Sequence, residues 1–191
     1  MPSSARPITS FRSLLCRFRR NRKGDAVVQF ALVAPLFFAL LFAILESALM
    51  FLASQVLETV TQDSARAVFT GQAQTGLLQA CQVNGQSSAC TQTSFKSYLC
   101  GKIPALFDCN GIYVDVQSYN SFSAITINSQ INGGTFVNNM QFSPGGPGDI
   151  VVVRVFYQWP LFVTGLGYNI ANLSGNQRLL VATAAFQNEP Y

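Results

Sequence analysis

Twenty consecutive positions from Ala26 to Leu45 carry a single polar side chain, Gln29. At about 1.5 Å per residue, a helix of that length covers roughly 30 Å, the hydrocarbon thickness of a bilayer. The pattern therefore predicts a membrane-spanning helix. Pro35 falls in its middle, where it withholds one backbone N–H and is expected to kink the helix. Membrane helices tolerate this because neighbouring groups re-satisfy the released carbonyl. Past Glu46 the pattern turns amphipathic. Leu49, Leu52, Ala53, Val56, Val60, Ala67 and Val68 recur at helical spacing, with Gln55, Glu58, Thr59, Gln62, Asp63 and Arg66 on the other side. One helix is predicted from Ala26 to Thr70, near 65–70 Å long at ~1.5 Å per residue, with Gly71 as its stop. Its first half is expected to span lipid, and its second half to pack under the rest of the chain.

Beyond the helix the period shortens. Phe95, Leu99, Ile103 and Leu106 predict a short helix over Thr93 to Phe107, broken by Pro104. Ile112, Val114 and Val116 then alternate as a strand over Ile112 to Tyr119. A second strand is expected over Phe122 to Asn128. The strongest strand signal is Ile150 to Trp159, where Val151, Val153, Val155, Tyr157 and Trp159 form one apolar face. Leu180, Ala182, Ala184 and Phe186 mark a last strand over Arg178 to Gln187. Asn132-Gly133-Gly134 and Ser143 to Gly148 read as loops. Leu161 to Ile170 is apolar but interrupted by glycine, and is expected to be irregular and to dip toward a membrane surface. Together these patterns predict an α+β fold. One long helix is packed on an antiparallel four-stranded sheet whose apolar face buries the helix. The expected divisions are a basic leader over 1–24, the long helix over 25–70 with its span at about 26–45, and an exported helix/sheet domain over 71–191.

Charge sharpens the topology. Arg6, Arg12, Arg17, Arg19, Arg20, Arg22 and Lys23 all precede Gly24 with no acid among them, whereas the five later bases face eight acids. Beside a hydrophobic span, such a cluster keeps the N-terminus in the cytoplasm and sends the C-terminal part across. A nucleic-acid arm is the lesser reading of the same residues, and no nucleic-acid partner is expected. A cleaved secretory signal fits poorly, because the apolar run is too long and no small-x-small site follows it cleanly. The leader itself lacks an apolar face and should be disordered on the membrane surface. Its Cys16 reads as a free cytoplasmic thiol.

Four further cysteines follow the helix: Cys81, Cys90, Cys100 and Cys109. On the exported side of a membrane, an even number reads as two disulfides. Three connectivities are open; pairing neighbours, which closes two short loops, is favoured. Free cysteines in a cytoplasmic domain would conflict with the charge asymmetry. The chain contains no histidine, which removes histidine-based triads and histidine metal sites. No phosphate-binding or dinucleotide glycine loop is present, and Lys96 and Lys102 lie in no S-x-x-K pattern. No catalytic residue, metal site or cofactor is expected. Asp108, Asp115 and Asp149 read as turn or solvated acids, and Tyr157, Trp159 and Phe162 as core or sheet packing.

Arg22-Lys23-Gly24 followed by Asp25-Ala26-Val27-Val28-Gln29-Phe30-Ala31-Leu32-Val33-Ala34-Pro35 resembles the start of the TadE/TadG-like pilus-assembly proteins. Ser64-Ala65-Arg66, Thr70-Gly71-Gln72, Phe107-Asp108-Cys109, Tyr113 to Gln117 and the closing Asn188-Glu189-Pro190-Tyr191 are similar to that family as well. The resemblance implies a pilin-like layout and a pseudopilin or assembly role in a tight-adherence (Flp-type) pilus or secretion system. It further implies anchoring in a bacterial inner membrane, with other pilins, the assembly platform and a prepilin peptidase as partners. Peptidase cleavage after Gly24 would make Asp25 the new N-terminus; the bland reading of Gly24 is a hinge. Pilin-like proteins commonly carry glutamate five residues after the cut, and here that position is Gln29. A neutral amide can hydrogen-bond in lipid but cannot ion-pair with an N-terminal amine, so Gln29 acts either as ordinary helix–helix glue or in a specific assembly contact. Gln29 and Pro35 are the candidate helix-packing positions. The competing class is a membrane-anchored periplasmic binding or enzymatic domain unrelated to pili.

Overall fold

The computed structural model describes residues 24–163 and 168–191. The expectations for the leader, including Cys16, lie outside the described residues. The chain divides between Ala43 and Ile44 into two units, and a single helix, α1 (Asp25–Phe69), runs through the division. In the first unit the helix continues through Pro35, and its side chains are almost all exposed.

In the second unit α1 is half of a two-layer core. Ala53, Leu57, Val60, Ser64 and Ala67 recur at steps of four and three and are buried, with Thr61, Ala65 and Val68 beside them. The apolar side chains among these pack in one core cluster with Val114, Val116, Val151, Val153 and Val155 of the sheet. The hydroxyl of Thr61 is satisfied within the helix by the carbonyl of Leu57 at 2.7 Å. Leu49 and Leu52, expected on the packed face, are instead about half exposed at 52% and 53%; the buried stripe starts one residue further on, at Ala53.

A turn at Gly71 leads into α2 (Gln72–Thr75). A minimal hairpin of β1 (Gln82–Val83) and β2 (Gln86–Ser87) follows. Next comes α3 (Gln92–Cys100), opened by a capping box between Thr91 and Ser94. The helix expected to reach Phe107 stops at Cys100, with Gly101 as its cap. Phe95 and Leu99 are its buried face, and the Cys100–Cys109 disulfide turns the chain back toward the sheet. The other disulfide joins Cys81 to Cys90.

The sheet has three long strands rather than four. β3 (Ile112–Tyr119), β6 (Ile150–Pro160) and β7 (Gln177–Gln187) pair antiparallel in the order β3-β6-β7, with Val114 opposite Val155 and Val155 opposite Ala182. Two short strands between them, β4 (Ile131–Asn132) and β5 (Thr135–Phe136), form a hairpin of their own. The segment 122–128 forms no strand; Phe122–Ala124 is a 3₁₀ turn. Its apolar positions change parity, Phe122 and Ala124 falling on one face and Ile125 and Ile127 on the other, so neither face is continuous. The edge it was expected to take is held elsewhere. Val116 donates to the carbonyl of Gln141 at 2.9 Å and accepts from the N–H of Ser143 at 2.7 Å.

Both faces of β6 are covered. The face toward α1 carries Val151, Val153, Val155 and Trp159 in the main core. Phe107 packs edge-on against Tyr157 at 4.9 Å. On the opposite face Phe156, Leu173 and Leu179 form a smaller cluster with Tyr113, Ile131, Phe136 and Met140. The β4–β5 hairpin turns through Gly133 and Gly134, both at positive φ (56° and 75°), as a two-residue hairpin of this hand requires. That turn sets Phe136 against Tyr113 at 4.7 Å and Phe156 at 5.9 Å. This covering explains why β6 is buried continuously from Ile150 to Phe156 instead of alternating.

The same cover corrects the reading of Asp115 as a turn or solvated acid. It is 1% exposed and ion-paired to Arg154. Asp108 and Asp149 are turn residues, accepting from the N–H of Asn110 at 3.0 Å and of Gly146 at 2.8 Å respectively.

Candidate membrane-anchoring and assembly site

The candidate site is the surface of α1 and what is held against it. In the first unit, Val27, Phe30, Leu32, Val33 and Leu36 are all more than half exposed. Three aromatic rings pack along the helix: Phe37 meets Phe38 edge-on at 5.6 Å, and Phe38 lies over Phe42 at 6.4 Å. Water-soluble surfaces rarely carry so long an apolar stretch without a partner. By length and composition α1 is long and apolar enough to cross a membrane, and it is a candidate membrane anchor.

The residues singled out at its start are close together. Gly24 has open space where a side chain would be. Asp25 begins the helix and places a carboxylate in the first turn, where the helix dipole favours negative charge. Gln29, one turn on, donates its amide to the Asp25 carboxylate at 3.3 Å. The polar atoms of the predicted span are thus gathered at its first turn. Pro35 lies two turns further along, inside the helix and away from them in sequence.

In the second unit the apolar surface does not end at Leu45. From Ile44 to Ser54 the exposed side chains are Ile44, Leu45, Ala48, Leu49, Phe51 and Leu52, and Gln55 is the next exposed polar residue. Glu46 lies among them yet is only 7% exposed. Its carboxylate accepts the backbone N–H of Phe162, and both its oxygens accept the N–H of Val163 at 3.1 Å. One residue on, the hydroxyl of Ser47 bonds that of Tyr168. Phe162 itself points away from the core at 85% exposure, contrary to the packing role expected for it, whereas Trp159 is buried and Tyr157 half-buried.

No local pattern in the sequence singles out Glu46, although it is the only ionisable side chain between Asp25 and Glu58. What it holds lies more than a hundred residues away, which no local pattern encodes.

Among the described residues no group of three or more His, Cys, Asp or Glu side chains is placed to hold a metal ion. A cleft between α3 and β3 is lined by Gln92, Thr93, Lys96, Tyr113, Asn138 and Met140, with one base and no acid.

No curated protein and no solved structure matches the chain. A family model does: residues 24–66 match the one described as TadE-like protein. The match starts at the glycine before the apolar helix and ends within the last turns of α1, so it covers the exposed stretch together with most of the packed stripe. Over Gly24 to Arg66, the chain is thus similar to the TadE-like family.

Proposed function

We propose that this protein is a TadE-like pseudopilin or assembly component of a tight-adherence (Flp-type) pilus or secretion system, working by association and not by catalysis. The observation that carries the reading is the TadE-like match over residues 24–66, which falls on the helix that exposes its apolar side chains. In this reading α1 anchors the chain in the inner membrane and packs laterally against pilin or platform helices. The seven bases before Gly24 hold the N-terminus in the cytoplasm. The unit after Ala43 lies in the periplasm, an oxidising compartment in which its two disulfides persist.

Gly24 is the proposed cleavage position for a prepilin peptidase. Its place just ahead of the helix, between the basic leader and the apolar run, fits this role. After the cut, the carboxylate of Asp25 and the amide of Gln29 would both lie within a turn of the new amine.

Mass spectrometry of the protein taken from the membrane tests processing and compartment together. The expected result is a chain beginning at Asp25 with two intact disulfides. A chain retaining the seven-base leader in cells with active peptidase would remove the cleavage claim and leave the anchor. Deletion of the gene, scored by surface pili and restored by the full chain, tests the role itself. Normal piliation in the deletion strain would defeat it.

A further inference from the structure

The grip of Glu46 on the segment after β6 has a consequence at the membrane. A carboxylate on a helix whose neighbouring exposed side chains are all apolar faces an expensive surrounding if it meets lipid. Here it does not stand exposed. Both oxygens are occupied by the N–H groups of Phe162 and Val163, and the side chain is buried. The segment bringing those N–H groups is thereby fixed against α1 at the level of residue 46. Its own side chain, Phe162, is directed outward and is the most exposed large apolar residue among those described.

Phe162 and the band Ile44, Leu45, Leu49, Phe51 and Leu52 thus form one apolar collar on the second unit, with no exposed polar residue on that stretch of helix before Gln55. The exposed apolar side chains of α1 reach Leu52, about 40 Å from Ala26 at 1.5 Å per residue. A bilayer's hydrocarbon core is only about 30 Å thick, so the collar falls at its boundary.

We propose that Phe162 is a second membrane contact, inserted into the acyl region beside the anchoring helix, and that Glu46 is the positioning residue that holds it there. The occupant of the collar is lipid: it continues along the same helix from the stretch already long and apolar enough to span. An aromatic ring at the boundary sets the depth and tilt of the unit against the membrane. This inference rests on the reading of α1 as a membrane anchor.

The test uses the full chain with Cys16→Ser, which removes the one cysteine outside the disulfides, reconstituted in phosphatidylethanolamine/phosphatidylglycerol vesicles. A spin label is placed by Phe162→Cys, and in separate chains by Leu36→Cys within the span and Thr183→Cys on β7. Accessibility to oxygen and to a water-soluble nickel chelate is read by electron paramagnetic resonance. The label at 162 is expected to be several-fold less accessible to nickel than that at 183, and more accessible to oxygen. Glu46→Ala in the Phe162→Cys chain should restore nickel access.

Nickel access at 162 equal to that at 183, with 36 protected, overturns the inference and leaves the anchor standing. Nickel access at 36 overturns the anchor reading and this inference with it. Protection at 162 that disappears when the protein is diluted in lipid would mean that a second copy covers the collar, and the lipid assignment would be wrong. Unchanged protection in the Glu46→Ala chain would remove Glu46 from its positioning role.

Discussion

Arg154 Nη2 lies 2.7 Å from Asp115 Oδ2, and both side chains are nearly excluded from solvent. The two residues sit opposite each other on β6 and β3. Arg154 Nε adds a second bond to the same oxygen at 3.1 Å, and Nη1 donates to the carbonyl of Asn128 at 3.2 Å. The other carboxylate oxygen accepts the N–H of Gln141 at 2.8 Å. With its amide nitrogen toward Val137 O and Asn139 Oδ1, Gln130 places its oxygen 3.3 Å from Arg154 Nη2. The pair therefore fastens the 128–141 segment over the second face of the sheet. Burying two charges is tolerable only when each finds partners of this kind.

Removing one partner should cost far more than removing both. Asp115→Asn or Arg154→Met alone is expected to destabilise the fold by about 3–5 kcal/mol, because the remaining charge stays buried and unpaired. The double replacement Asp115→Leu with Arg154→Met should recover most of that loss. Equilibrium denaturation of the four chains gives the coupling directly. A double-variant loss equal to the sum of the two single losses would show that the pair is not coupled.

Gly71 should not tolerate a side chain. It adopts φ +75°, and a Cβ there would overlap the ring of Tyr191. Gly85 has a similar φ of +76° but open space around it. Gly85→Ala should therefore cost only the backbone strain of a left-handed residue, about 1–2 kcal/mol. Gly71→Ala should cost measurably more, and Tyr191→Ala in the same chain should return part of the excess. Thermal melts of these variants make the comparison.

Tyr191 also predicts an alkaline limit. Its phenol is held above the usual tyrosine value, first by burial and second by the nearby carboxylate of Asp149. The folded state thus prefers the neutral phenol. The associated stability is fully present below about pH 10, the ordinary tyrosine value, and is lost as pH rises through the raised value. Denaturation midpoints from pH 9 to 12 should fall less steeply in Tyr191→Phe than in the parent chain.

Each disulfide closes a loop between cysteines nine residues apart. Loops of this size restrict the unfolded chain by roughly 2–3 kcal/mol apiece. Reduction should lower the melting temperature, and Cys100→Ala with Cys109→Ala should loosen the join between α3 and β3. Non-reducing peptide maps should contain the 81–90 and 100–109 crosslinks. Crosslinks between the two loops would refute this pairing.

Gln29 is the one polar side chain from Ala26 to Leu45. Gln29→Leu should leave membrane insertion intact and weaken helix–helix association by about 0.6–2 kcal/mol, the range for a polar contact in lipid. Fluorescence energy transfer between labelled chains in vesicles reads both quantities. Undiminished association would mean that the amide serves only its own helix, through Asp25.

What the sequence determined by itself was everything that repeats locally. A long helix, the strand at Ile112–Tyr119, the strand starting at Ile150, the last strand ending at Gln187 and the TadE-like start all follow from side-chain period and composition over neighbouring residues. The strand expected over 122–128 failed because a nearby segment, 141–143, bonds Val116 instead, and competition for a sheet edge has no local signature. Leu49 and Leu52 kept the helical period but not the burial, since period says which residues share a face and not what covers it. The two acids that matter most were missed for the same reason. Asp115 meets Arg154 across 39 positions, and Glu46 meets Phe162 across 116. A lone carboxylate in the sequence reads as solvated. Only the tertiary structure brings the distant donors that make burying it affordable.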